Sequence, residues 1–324
     1  MQRFRLSLFA LCAAFVSASF TTAQAAWPER PVTIIVPFAA GGSTDVLARR
    51  IALELSNRLG QQFIIENRNG ATGNIGGAMV ARAEPDGYTL LFVTPGPVGI
   101  NKFTTKNMPY DTDTAFSHIV LIAKAPVIVV GSPKFPVKDL KELVAYAKAN
   151  PGKVTYGTAG TGTQGHLAIE LLMRESGTQM THVPYRGGAN FVGDLISGRI
   201  DVGLSFVPTF IGPVQSGEVR GLGVTSAERM RELPDVPAAS EAGFPGYEAI
   251  TFFALSGPRG TPAEVVAKIN GAVNDYLKTD ASREQLRVLG MVGAGGTPAQ
   301  LQATITAETT KWEPILKAAN IGGE

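Results

Sequence analysis

The sequence predicts an α/β fold of two domains with a ligand cleft between them. Three observations predict it. Strand and helix patterns alternate after residue 26, a second alternating series follows after residue 125, and a late apolar run at 250–258 returns to a strand pattern before a helical tail. The chain has 324 residues, 44% hydrophobic and 17% charged, so it can bury a sizeable core. Its formal charge of +2, with no basic cluster interleaved with aromatics, gives no footing for nucleic-acid binding.

Residues 1–25 read as an export signal. Arg3 and Arg5 give a positive start, LSLFALCAAFVSASF is an apolar stretch, and Ala23-Gln24-Ala25 has the small-x-small pattern of a cleavage site before Ala26. The stretch is short for a membrane span, and Leu11 precedes Cys12 where a lipoprotein signal wants a small residue. Cleavage takes Lys+Arg from 29 to 27, equal to the 27 Asp+Glu, and removes the only cysteine. The mature chain is then near neutral, with no thiol nucleophile, disulfide or cysteine metal site. It is expected to be a soluble periplasmic protein.

The first domain is expected over 26–125 plus 250–324. VTIIVPF (32–38) is a buried-strand run. After Gly41-Gly42, Val46, Leu47, Ile51, Leu55 and Leu59 fall at helical spacing, with Ser43 and Asp45 suited to the first turn and Gly60 as the stop. QFIIEN (62–67), a helix start at Thr72 and YTLLFV (88–93) continue the series, and this order argues for a parallel sheet covered on both faces. The second domain, 126–249, runs from the end of HIVLIAKAPVIVVG (118–131) through helix 138–149, strand KVTYG, a glycine turn, QMTHVPY, helix ANFVGDLISG, and strands DVGLSF and VRGLGVTS. ITFFALSGP (250–258) then precedes helices at 262–277, 281–290 and 298–318, a tail expected to pack on the first domain. The chain would cross between domains near Ala125 and Glu248, and pockets favour such junctions.

The chemistry concentrates in two glycine turns. In YGTAGTGTQGHLAIELL (156–172), Gly160, Gly162 and Gly165 have the spacing of a dinucleotide fingerprint between strand and helix. The next strand, however, ends in His182, Pro184 and Tyr185, without the carboxylate a ribose needs, and no Gly-Lys-Ser/Thr makes a P-loop. What remains is a helix start that presents unpaired amides and a positive dipole end to an anion, with Thr158, Thr161 and Thr163 as further donors. A plain turn with solvent-facing threonines is the bland alternative for one such loop. PFAAGGSTD (37–45) repeats the pattern in the other domain, and two such turns facing one cleft suit a dicarboxylate.

Other chemistries fare worse. No G-x-S-x-G elbow occurs, GLSFV (203–207) being the nearest, though His166, Ser205 and Asp201 can be drawn as a triad on paper. An exported serine hydrolase acting on a small ester is therefore the alternative function. His118, His166 and His182, the three histidines, have no zinc-like spacing. No cofactor is expected. Arg186, in YRGGAN, would neutralise an anion, or stand solvated in a loop.

The chain resembles the Bug-type, TctC-like extracytoplasmic solute receptors of tripartite tricarboxylate transporters. The residues that carry the resemblance are WPERPVTIIVPFAAGGSTDVLARRIALEL, ENRNGATGNIGG, DGYTLLF, MPYDTDTAF, YGTAGTGTQGHLAIEL, HVPYRGG and LPDVPAASEAGFPGYE, in family order over nearly the whole mature chain. The resemblance implies a periplasmic binding protein of Venus-flytrap form, without catalysis. It implies carboxylate contacts from Phe38, Ala40, Gly41, Gly42 and Asp45 on one side, with Ser43 on the same turn. Thr158, Gly160, Thr161, Gly162, Thr163 and His166 are implied on the other. Gly187, Gly188 and Ala189 look like further cleft backbone, and Thr94, Ser205 and Phe206 sit at strand ends where such receptors contact the variable half of a ligand. Ala40 stands where many relatives have proline. GINKFTTKNMPY keeps only Asn101 of the family's usual Asn-Pro-x-Leu-Tyr. The expected protein is thus a monomeric receptor for a di- or tricarboxylate or an aromatic acid, delivering it to the membrane permease subunits of such a transporter.

Overall fold

The computed structural model describes residues 27–318 and 321, so the expected export segment with Arg3, Arg5 and Cys12 lies outside the described residues. Strand β1 (Val32–Val36), helix α1 (Ser43–Leu59), strand β2 (Phe63–Asn67), helix α2 (Asn74–Ala81) and strand β3 (Thr89–Val93) follow the expected alternation. β1 runs parallel to β2 and β3 and lies between them. Ile34, Ile35 and Val36 are all fully buried, as a strand covered on both faces requires. α1 packs Leu47, Ile51 and Leu55 into the same core. It ends at Gly60, whose left-handed backbone lets its amide bond the Ser56 carbonyl.

A wide helical turn (Gly96–Ile100) and the short helix α3 (Asn101–Thr104) lead to strand β4 (Phe116–Gly131). The second series is α4 (Leu140–Ala149), β5 (Thr155–Thr158), α5 (Gln164–Ser176), β6 (Thr181–Pro184), α6 (Val192–Ser197), β7 (Val202–Phe206), α7 (Ile211–Gln215) and β8 (Arg220–Val224). Strand β9 (Ile250–Pro258), helices α8 (Ala263–Leu277) and α9 (Asp280–Val288), the two-residue strand β10 (Val292–Gly293) and helix α10 (Pro298–Ala318) follow.

The strands join in the order β2-β1-β3-β9-β4-β7-β5-β6, with β8 and β10 also paired to β4. The outer strands are parallel, as the alternation predicts, but β9 and β4 are antiparallel to their neighbours. β4 follows a helical turn and one four-residue helix, and β9 follows a turn-rich segment, so neither has the long crossover helix of a βαβ unit to dictate its direction. β4 pairs with β9 as far as Pro126 and with β7 from Val127, so one strand of 16 residues serves both halves of the molecule. At this crossing Thr225, fully buried, accepts the Val127 amide at 2.9 Å and donates to the Ala249 carbonyl at 2.6 Å. A single hydroxyl therefore ties together the two crossing segments.

α10 differs from expectation. Leu301 and Ile305 pack in the first half, but Trp312, Ile315 and Leu316 enter the core of the second, beside Val127 and Leu167. At 21 residues, about 30 Å by helical rise, the helix is long enough to overlap both halves. Among the described residues no helix is long and apolar enough to cross a membrane.

Candidate ligand-binding cleft

The first glycine turn leaves β1 and opens α1. Gly41 has φ of 83°, a conformation only glycine enters without strain, and Gly42 is the N-cap. No side chain caps this helix. Asp45, buried at 3% exposure, reaches back instead: Oδ2 accepts the Gly41 amide at 2.9 Å and Arg49 Nε at 3.0 Å, and Oδ1 accepts Asn67 Nδ2 at 2.9 Å. Asn67 Nδ2 also donates to the Phe38 carbonyl at 3.1 Å. Burial alone would raise the Asp45 carboxyl, but the hydrogen bonds from Arg49, Gly41 and Asn67 and the Arg49 charge together hold it below the usual carboxylate range. Asp45 thus fixes the turn from behind.

The second turn leaves β5 and opens α5, with φ of 76° at Gly162 and Thr163 as N-cap. This helix also lacks a side-chain cap, because Thr163 Oγ1 turns to the Gly160 carbonyl at 2.7 Å. By contrast, Asp139 caps α4 and Thr279 caps α9 in the ordinary way. Gly165 sits so close to β7 that a Cβ there would lie 2.6 Å from the Leu204 carbonyl oxygen, which explains the third glycine.

Behind this turn lies a buried polar stack. His166 Nδ1 accepts the Gly162 amide at 3.0 Å, which leaves the ring proton on Nε2, 3.4 Å from Glu170 Oε1. The His166 and His182 rings stack with centroids 3.9 Å apart. His182 Nε2 lies 2.7 Å from Thr158 Oγ1, which in turn contacts the Gly160 amide and carbonyl. Burial, then the neighbouring His166, pushes the His182 pKa down to about 3, so the ring stays neutral.

The two turns meet at an inner chamber of about 70 Å³. Phe38, Ala40, Gly42 and Ser43 line it from the first turn, and Gly162 and Thr163 from the second. Gly187, Gly188 and Ala189 enter from the loop after β6, with Thr94, Ser205 and Phe206 at the ends of β3 and β7. Gly41, Asp45, Thr158 and His166 do not line it; they hold the turns through the bonds above. Gly160 and Thr161 line a separate outer chamber instead. The lining also includes residues that sequence reasoning did not single out: Ala39 and Thr44, Thr72, Pro95 and Gly96, Ala159 and Gln164, Asn190, Thr209, and Thr251. Several are immediate neighbours of named positions, but Thr72 and Thr251 come from elements read only as a helix start and a strand start. Among the described residues no charged side chain lines the inner chamber.

Thr72 carries the sharpest local anomaly. Ala71 and Thr72 have φ of 47° and 53°, a left-handed backbone that a β-branched residue adopts only at a cost of roughly 1–2 kcal/mol. Asn101, fully buried, donates to the Thr72 carbonyl at 3.0 Å and to Asn74 Oδ1 at 2.6 Å, and holds this conformation. Thr72 Oγ1 then reaches across the cleft to the Thr161 carbonyl at 3.3 Å. Strain that surrounding bonds maintain is a mark of functional positions.

The paper triad does not assemble. Ser205 Oγ faces Thr209 Oγ1, His166 has both ring nitrogens engaged by Gly162 and Glu170, and Asp201 Oδ2 accepts the Thr155 amide and hydroxyl. Among the described residues no group of three metal-ligating side chains forms.

Comparison with known proteins identifies the family. The family described as "Tripartite tricarboxylate transporter family receptor" matches residues 47–321. A protein of Pseudomonas sp. (strain P51), named for the tcbD-tcbE intergenic region, is 38% identical over 93% of this chain and 90% of its own length. Protein BugT of Bordetella pertussis is 32% identical, with 90% of each chain covered. A solved R. palustris protein with adipate superposes with a TM-score of 0.89 at 39% identity, covering 92% of this chain and 99% of that one. MatC from Rhodopseudomonas palustris with bound malate gives 0.84 at 33%, covering 90% and 100%. This chain belongs to the tripartite tricarboxylate transporter receptor family, whose members are solute-binding receptors rather than enzymes.

Proposed function

We propose that the protein is a periplasmic receptor that captures a small organic carboxylate between its two lobes and hands it to the membrane permease of a tripartite tricarboxylate-type transporter. The carrying observation is that two helices from opposite halves point uncapped N-termini, each preceded by a glycine turn, at one chamber with no charged lining. Amides and dipole ends left free by side chains are a ready anion site. Each dipole contact contributes roughly 0.3–1 kcal/mol, whereas micromolar affinity needs about 8 kcal/mol, so the hydroxyls of Ser43 and Thr94 and closure over the ligand body supply the rest. The adipate of the one similar structure and the malate bound in the other are both dicarboxylates, which supports that ligand class.

The lobes are 26–125 plus 250–324 and 126–249, working as a monomer after loss of residues 1–25. Closure follows because only the closed form lets both turns and the Thr72–Thr161 bond act together. A thermal-shift screen of di- and tricarboxylates and aromatic acids tests the reading. A true ligand at a hundredfold excess over Kd stabilises by about 2.7 kcal/mol without turnover. Hydrolysis of an ester panel that disappears in Ser205→Ala would refute it.

A further inference from the structure

The inner chamber is far smaller than the roughly 300–1,000 Å³ of ordinary small-molecule sites. It holds an acid head group and a short body. Against it lies an outer chamber of about 270 Å³, and the two share Phe38, Thr72 and Ala159 as a common wall. To reach this outer space, the body of a longer ligand would have to pass these three residues. The outer chamber differs in charge. Arg186 lines it, no acidic residue does, and among the described residues Arg186 has no ion pair or side-chain hydrogen bond. Of the charged residues that neighbour this lining, Arg68, next in sequence to Asn69, pairs with Glu66, and Asp194, bonded to Tyr185, pairs with Arg199.

We propose that this outer chamber is a second anion subsite, in which Arg186 pairs with the far carboxylate of an elongated aliphatic diacid whose near carboxylate sits on the amides of the inner chamber. The proposal rests on the carboxylate-receptor reading and adds to it the length and the second charge of the ligand. A guanidinium suits this task because its planar donor fork matches a carboxylate bidentately. The division of labour follows from physics: neutral amides hold the first acid without a counter-charge, and Arg186, the cation that lines the outer chamber among the described residues, responds only to a ligand that brings a second one.

The test is calorimetric titration of the full mature chain with succinate, glutarate, adipate and pimelate, each against the monoacid of equal carbon number. Wild type is expected to prefer at least one diacid over its monoacid by roughly tenfold, the scale of a charged hydrogen bond at an accessible site. Arg186→Gln is expected to remove that preference by weakening the diacid and leaving the monoacid unchanged, and Arg186→Lys to restore part of it. The preference is also expected to shrink as salt rises. If Arg186→Gln leaves the diacid-to-monoacid ratio unchanged, or lowers both affinities equally, the subsite is refuted. Wild type that binds both members of every pair equally refutes the subsite alone. Wild type that binds none of these acids, nor any of the screen above, takes the receptor reading down with it.

Discussion

Asp45→Asn separates two roles for this residue. Family resemblance puts Asp45 among the ligand contacts, whereas the geometry makes it the anchor of the first glycine turn. The carboxylate accepts three hydrogen bonds: two on Oδ2 from Gly41 and Arg49, and one on Oδ1 from Asn67. An asparagine amide replaces one acceptor oxygen with a donor. If the NH2 takes the Oδ1 place it meets Asn67 Nδ2, and a flip of Asn67 to accommodate it would break the bonds to the Phe38 carbonyl and from Arg49. If it takes the Oδ2 place it meets two donors, Gly41 N–H and Arg49. Either way at least one charge-assisted bond is lost and a nearly buried donor is left facing another. With charged hydrogen bonds near 1.5–3 kcal/mol, and part of the Arg49 contribution screened because that side chain is half exposed, the expected cost is about 2–3 kcal/mol.

The assay is urea unfolding paired with calorimetric titration of the best carboxylate from the screen. The expected result is a loss of stability of that size together with a weakening of binding by roughly tenfold, as the turn that presents its amides loosens. A variant within 0.5 kcal/mol of wild type would refute the anchoring argument. Wild-type stability with binding abolished would instead return Asp45 to direct contact with the ligand.

Two further outcomes follow from the same geometry. His118 and His182 are held neutral by burial, at about 4 and about 3, below their unfolded value of about 6.5, so the unfolded chain binds more protons between those limits. Stability should therefore be fully present above pH 6.5 and fall as pH drops, by up to roughly 1.4 kcal/mol per unit for each histidine. Urea midpoints identical at pH 7 and pH 5 would contradict it. Thr72→Ala removes the hydroxyl that bonds the Thr161 carbonyl while leaving the strained backbone, so affinity should fall about threefold to tenfold with stability nearly unchanged. Unaltered affinity by calorimetry would mean that this bond does not help hold the cleft shut.

Much of the fold was legible because its signals are local. VTIIVPF and YTLLFV read as buried strands, Gly60 as a helix stop, and the paired glycine turns as helix starts, since each depends on residues within a few positions. The antiparallel pairing of β4 and β9 was not legible, because strand direction is set by how the chain returns and not by the strand's own composition. The reach of α10 into the second half was hidden for a related reason: its apolar spacing is the same whichever core it enters, and only the overlap in space divides Leu301 and Ile305 from Trp312 and Ile315. Within the site, the glycines that line the chamber and the polar residues that hold them share one segment, so their spacing could not separate front from back. Thr72 had no signal of its own. Its left-handed backbone is imposed by Asn101, 29 residues away.

That division between front and back explains how a neutral chamber can recognise an anion. A lysine or arginine lining the inner wall would attract carboxylate, but it would also stand against the positive ends of two helix dipoles and repel them whenever the chamber is empty. Turns fixed by Asp45 on one side and by the His166–His182 stack on the other hold the helix-start amides that follow them already oriented, so little ordering remains to offset binding. Their polar supports face away from the ligand, and Asp45 in particular keeps its negative charge neutralised by Arg49 where it would otherwise repel the guest. Affinity then depends on whether both turns reach the ligand at once, which couples binding to closure, and closure is the signal a permease can read.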